Sequence, residues 1–225
     1  MVYAYYKDGL SGDKLKRVYE IAPHRVRQYL RAEAGHVANV ISQGAEVLEL
    51  GCGYGRILPE LAKKAGNVVG VDTSLANIKL GMKDLAHLSH CRLLCMDAVL
   101  LGFRDSRFDC VVCIQNGISA FHVDKRDLVN EAVRVTRPGG KVLFSTYSER
   151  FWNDRLEWFE LQAGEGLLGE IDYEKTGNGV ITCKDGFTAT TVSPGDFRII
   201  THDLDADVDL IELDGSSLFC EITVL

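Results

Sequence analysis

The sequence predicts an α/β fold built on a mostly parallel sheet with helices on both faces. Three observations carry that expectation. Strand-like and helix-like segments alternate from Ala45 to Tyr147, a branched apolar strand runs into glycines at 51, 53 and 55, and the chain closes on two strand-like runs. Alternation implies parallel strands joined by helical crossovers, because a parallel pair cannot be closed by a tight turn.

The elements follow in order. Residues 13 to 43 place Leu15, Val18, Tyr19 and Ile21, then Val26, Tyr29, Leu30, Ala34, Val37, Val40 and Ile41 at helical spacing, with Pro23 dividing two helices. Strands are expected at 46–50, 68–72, 91–95, 108–114 and 140–147, and helices at 55–65, 74–87 and 124–136. Arg137-Pro-Gly-Gly140 reads as the turn before the fifth strand, Pro pre-setting φ and Gly supplying a positive φ. From Glu149 to Val192 regularity falls: Phe151, Trp152, Trp158 and Phe159 sit on an expected helix, followed by short alternating runs near 170–173, 180–183 and 187–191 that suggest a small antiparallel insertion. Ser193-Pro194 opens a last helix, with Ser as cap and Pro at the first helical position. Asp214-Gly215 then joins 207–213 to 217–225 as a hairpin.

The stretch Val47-Leu-Glu-Leu-Gly51-Cys-Gly53-Tyr-Gly55-Arg-Ile57 reads as a nucleoside-cofactor loop. Glycines at every second position let the backbone turn sharply and approach a ligand with no Cβ in the way. A dinucleotide fingerprint would be Gly-x-Gly-x-x-Gly, and Arg56 occupies the position where its third glycine would stand. With Glu49 ahead of it, the loop resembles the first motif of the class I S-adenosylmethionine (SAM)-dependent methyltransferases. The resemblance continues through Val68-Val-Gly-Val-Asp72-Thr-Ser74, Cys91-Arg-Leu-Leu-Cys-Met-Asp97-Ala98, Phe108-Asp-Cys-Val-Val-Cys-Ile-Gln-Asn116 and Arg137-Pro-Gly-Gly-Lys-Val-Leu-Phe144.

That resemblance implies a Rossmann-like three-layer sandwich whose mostly parallel seven-stranded sheet has an antiparallel last strand, with N-terminal helices and a small β insertion added. One domain is expected: a helical cap over 1–44, a cofactor core over 45–148, a substrate-side insertion over 149–192, and a final helix and hairpin over 193–225. The implied cofactor is SAM, leaving as S-adenosylhomocysteine (SAH). Gly51, Cys52, Gly53 and Gly55 would form its loop, with Glu49 ordering that loop or meeting the methionine ammonium. Asp72 would take the ribose hydroxyls beside Thr73 and Ser74, Asp97 and Ala98 would meet the adenine, and Gln115 and Asn116 would end the fourth strand at the site. Candidate catalytic or orienting residues are His122, Asn116 and Tyr147, with Glu157 as a further base. Tyr3 and Tyr6 of the N-terminal segment, and Trp152, Trp158 and Phe159 of the insertion, are candidates for the acceptor wall, the insertion aromatics having a place in a core as the alternative. Asn116-Gly-Ile-Ser119 departs from the Asn/Asp-Pro-Pro-Tyr/Phe signature of enzymes acting on amide or exocyclic amino nitrogens, which disfavours adenine or glutamine as acceptor.

Composition narrows the partners. A formal charge of −7 over 225 residues disfavours free nucleic acid, whose binding draws on basic residues. No apolar run is long enough to span a bilayer, and Met-Val-Tyr-Ala-Tyr-Tyr-Lys-Asp lacks a signal-peptide core, so a cytoplasmic protein is expected. The seven cysteines lie mostly in apolar segments, as buried reduced thiols do. Cys110 and Cys113 would point to opposite faces of one strand, so no metal is expected. The leading reading is methyl transfer to N, O or S of a small molecule. Methylation of a protein side chain and a non-catalytic SAM-binding subunit are the alternatives. The insertion is open to reading as a lid, as a homodimer interface, or as both.

Overall fold

The computed structural model describes residues 9–225. Two helices come first, α1 (Asp13–Glu20) and α2 (His24–Val40), separated at Pro23. Five strands follow, β1 (Glu46–Leu50), β2 (Asn67–Asp72), β3 (Cys91–Cys95), β4 (Phe108–Cys113) and β5 (Thr136–Tyr147). Between them run α3 (Leu58–Leu61), α4 (Leu75–Asp84), α5 (Gly117–Ala120) and α6 (Lys125–Val135). A turn of 3-10 helix, Glu149–Phe151, leads into α7 (Trp152–Gly164), a two-residue strand pair β6 (Ile181–Thr182) and β7 (Thr188–Ala189), α8 (Pro194–Thr201), and the hairpin β8 (Ala206–Leu213) and β9 (Ser217–Val224).

The main sheet has seven strands in the order β3-β2-β1-β4-β5-β9-β8. The first five are parallel, and β9 is antiparallel to both of its neighbours. Strand order reverses between β1 and β4, and the loops leaving their carboxyl ends diverge to opposite faces. A crevice therefore opens there, where ligands bind in open α/β sheets. Val47, Leu48, Val111, Val112, Leu143 and Phe144 are all buried in the central strands, the two-sided burial that a helix-covered sheet requires. A third apolar cluster is separate from the two that pack on the sheet. It joins Val18, Val26 and Tyr29 of the first two helices to Phe151, Trp158, Phe159, Ile181 and Phe187 of the insertion.

Two expected elements differ in extent. The helix expected over 55–65 is regular only across Leu58–Leu61, because Pro59 and a run of i→i+3 hydrogen bonds tighten the turns on either side. The fifth strand begins earlier than expected, at Thr136. Its register against β4 jumps between Phe108 and Cys110, and Arg137-Pro-Gly-Gly140 bulges out inside the strand with Gly139 at φ +75°. The capping expected at Ser193 is complete: its hydroxyl accepts the Asp196 N–H while the Asp196 carboxylate accepts the Ser193 N–H.

Candidate functional site

The loop from β1 holds Gly51, Gly53 and Gly55 at φ +69°, +56° and +78°, a conformation that a Cβ would strain. At Gly51 a Cβ would also fall 2.4 Å from the Phe121 ring, so the loop and the end of α5 meet without room for a side chain. Asp72, at the end of β2, holds this loop in place. One carboxylate oxygen accepts the Gly53 N–H at 2.9 Å, and the other accepts the Ser74 N–H at 2.8 Å and the Asn77 amide at 3.3 Å. Burial nevertheless raises its pKa, so its charge is only partly compensated.

A cavity of about 300 Å³ lies across the ends of β1, β2 and β4. Glu49, Gly51, Cys52, Gly53, Asp72, Thr73, Asp97, Ala98, Gln115, Asn116, His122, Tyr147 and Trp158 all line it. Four described candidates do not. Gly55 sits beneath it, packed against Leu85 and Leu93, and Ser74 is buried as the N-cap of α4. Trp152 stands on a different face of α7 and lies against the buried Arg155 instead. Glu157 is exposed and also away from the cavity. Tyr3 and Tyr6 lie outside the described residues.

Within the cavity the polar groups divide into committed and uncommitted. Asn116 is committed: its carbonyl accepts the Thr146 hydroxyl and its amide donates to Thr190 O, so it pins the insertion to β5. Asp97 accepts the Val99 N–H at 3.1 Å with one oxygen and exposes the other. Tyr147 is buried and its hydroxyl is pushed well up by desolvation, which removes it as a base near neutral pH. Among the cavity-lining residues, Glu49 Oε2, Arg56 Nη2 and His122 Nε2 are buried without a hydrogen-bond partner among the described residues. Burial pushes the Glu49 carboxyl up to about 8 despite the nearby Arg56. His122 has φ +53°, and burial together with Lys125 lowers its pKa, so it is neutral at pH 7.

Several lining residues were not singled out by sequence reasoning. Arg56 figures there only as the residue that breaks a dinucleotide fingerprint, yet its guanidinium lies 4.5 Å over the Tyr19 ring and faces the cavity. Tyr19 reads as a core position of a helix; its hydroxyl donates to Gln115 at 3.2 Å and its ring lines the cavity. Asn77, Phe121, Gln162 and Ala189 also line it, beside Phe159 of the expected insertion helix. A pattern of apolar spacing cannot separate a residue that faces a core from one that faces a cavity cut into it. All seven cysteines are free, and no group of three or more potential metal ligands occurs among the described residues.

Residues 47–140 match a family model described as a methyltransferase domain. The chain is 31% identical over 150 residues to an arsenite methyltransferase of Aquipseudomonas alcaligenes, covering 61% of this chain and 43% of that protein. It is 30% identical over 141 residues to a ubiquinone biosynthesis O-methyltransferase of Coxiella burnetii, covering 61% and 56%. The chain thus spans about half the length of these curated relatives. Among solved structures, the PH0226 protein of Pyrococcus horikoshii OT3 superposes with a TM-score of 0.69 at 19% identity, over 98% of each chain. Residues 47–140 are thus similar to methyltransferase domains, and the solved structure shares the fold of the chain. No helix among the described residues is long and apolar enough to cross a membrane.

Proposed function

We propose that this chain transfers a methyl group from SAM to a small-molecule acceptor. The observation that carries the reading is the pair of unsatisfied buried groups beside the glycine loop, Glu49 Oε2 and Arg56 Nη2. Leaving a buried carboxyl and a guanidinium nitrogen without partners is costly, and a zwitterion, by drawing Glu49 into its ionised form, satisfies both at once. Glu49 fits the α-ammonium of a methionine moiety and Arg56 its carboxylate. Asp72 then fits the ribose hydroxyls, and Asp97 with Met96 and Ala98 the adenine.

SAM supplies an electrophilic methyl on a sulfonium, so the protein mainly has to align the acceptor and exclude water. Gln115, the end of α5 and α7 do that work, closing the space beyond the glycine loop with Phe121, Trp158 and Phe159. His122, neutral and with an uncommitted Nε2 facing the cavity, is the group available to take a proton where the acceptor must lose one. The aromatic enclosure under α1 suits a small molecule better than a peptide. Arsenite is disfavoured as acceptor here. Only Cys52 of the seven cysteines lines the cavity, and burial holds its thiol well above the ordinary range, where thiolate is scarce.

Calorimetric titration of the protein with SAM and SAH, wild type against Asp72→Ala, tests the reading. Saturable binding by wild type that the substitution weakens by about 100-fold, the worth of a charge-assisted hydrogen-bonded contact, is expected. Wild-type protein that binds neither compound overturns it.

A further inference from the structure

The buried stripe of α2 contains an acid. Glu33 sits with Val26, Tyr29, Leu30 and Val37 on that stripe and is 0% exposed, a place where a carboxyl is costly unless hydrogen bonds hold it. Its bonds run to residues far off in the chain. Oε1 accepts the Ser217 hydroxyl of β9 at 2.7 Å, and Oε2 accepts the Gln115 N–H at 2.8 Å. Glu33 does not line the cavity, whereas Gln115 does.

The turn that Glu33 grips is strained. Gly117 N–H donates to Ile114 O at 3.2 Å, and the two residues between them, Gln115 and Asn116, have φ +57° and +63°. That backbone suits glycine or asparagine at both positions, so Asn116 takes it readily and Gln115 does not. A strained residue persists only where its surroundings over-determine it. Gln115 is held at both ends: its N–H is shared between Glu33 and the Ser145 Oγ, also at 2.8 Å, and its side-chain carbonyl accepts the Tyr19 hydroxyl at 3.2 Å. Burial pushes the Glu33 carboxyl up to about 7. The neutral form keeps the same grip, because its O–H donates to Ser217 Oγ while the other oxygen stays on the Gln115 N–H.

Resting on the methyl-transfer reading, we infer that Glu33 is a positioning residue of the site, holding the backbone of Gln115 in the left-handed region from outside the cavity and so keeping that side chain in the wall of the cofactor cavity. A left-handed residue and one buried hydrogen bond have free energies of the same order, so the bond from Glu33 decides which backbone prevails. Without it Gln115 relaxes to an ordinary backbone, and its side chain and the start of α5 turn out of place.

The test is titration with SAH, accompanied by thermal unfolding. Wild type is read first, and its failure to bind SAH removes the methyl-transfer reading and this inference together. Glu33→Met fills the same volume without an acceptor; it is expected to unfold cooperatively and to bind SAH about tenfold more weakly. Glu33→Gln, which donates to Ser217 Oγ and accepts from Gln115, should stay within about twofold of wild type. The decisive comparison is made in a Gln115→Gly background, where a positive φ carries no strain and the turn needs no grip. There Glu33→Met should change SAH affinity by less than about twofold, whereas a merely structural loss would be carried over in full. Should Glu33→Met not fold, Glu33→Asp, whose carboxylate is drawn back by one methylene, enters both backgrounds with the same expectation. A loss that persists in the Gln115→Gly background, a Glu33→Gln loss as large as that of Glu33→Met, or a folded Glu33→Met that binds SAH like wild type overturns the inference.

Discussion

The floor and the roof of the cavity are made of different kinds of structure. The floor consists of three loops that leave adjacent parallel strands, β1, β2 and β4, and its groups are fixed by short-range bonds such as those of Asp72 to Gly53, Ser74 and Asn77. The roof brings together α1, α7 and β7, elements far apart in the chain and packed into a cluster of their own. Its links to the floor include Gly12 N–H to Asn77 at 2.7 Å, Lys16 to Asp84 at 3.1 Å, Tyr19 to Gln115, Arg56 over the Tyr19 ring, and the Asn116 amide to Thr190 O. At eight residues α1 is too short to persist as a helix on its own, so its order depends on those contacts and on Trp158. The contrast is between a floor fixed by bonds among neighbouring strand ends and a roof held by long-range packing, and it predicts that the two can be perturbed separately.

Substitutions in each part can break that contrast. The largest effect is expected from Asp72→Ala on the floor, a loss of about 3 kcal/mol in SAM and SAH binding by calorimetry, because the loop and the ribose contact fail together. Next comes the pH response of Glu49. Its carboxyl is raised to about 8 in the empty site, and an ammonium ligand needs it ionised, so SAM binding should take up Glu49 in its charged form and release a proton. Affinity is then expected to rise with pH up to about 8 and to level off above it, a slope that Glu49→Gln abolishes. The same group acts oppositely on the ligand-free protein. A folded-state pKa raised above its unfolded value contributes stability fully present below the unfolded value and lost as pH rises through the folded one, so thermal stability without ligand should fall as pH rises toward 8.

A smaller effect is expected in the roof. Trp158→Phe removes the hydrogen bond to Val18 O and should cost about 1 kcal/mol of stability, speed amide exchange in α1, and leave SAH affinity within about twofold. A tenfold loss of SAH affinity in this variant would show floor and roof to be one unit. The smallest effect belongs to Trp152→Ala. Since Trp152 does not reach the cavity, acceptor turnover should stay within about twofold, the scatter of a partly exposed surface site.

The floor was legible in the chain because its signals are local. Alternating glycines, Asp72 at a strand end and Asp97 after the next strand each announce themselves within a few residues, and the sheet orders them. The roof was less so. Trp152 and Trp158 look equivalent as aromatics on one helix, but six residues turn about 240° around a helix, so the two point to different sides. Asn116 looked like a site residue and is one by position, yet its amide is spent on Thr146 and Thr190, partners thirty and seventy-four residues away.

By itself the sequence determined the alternating α/β order, the glycine loop, the carboxylates that end the strands, and the closing hairpin, since each depends on backbone preference and periodicity over short spans. Only the tertiary structure decided that Arg56 lies over Tyr19 with an unmatched nitrogen near an unmatched Glu49, and that Arg155 lies against the rings of Tyr147 and Phe159. Those arrangements arise from long-range packing of α1 and the insertion against the sheet, and their energies depend on burial, a property that no local stretch of sequence carries.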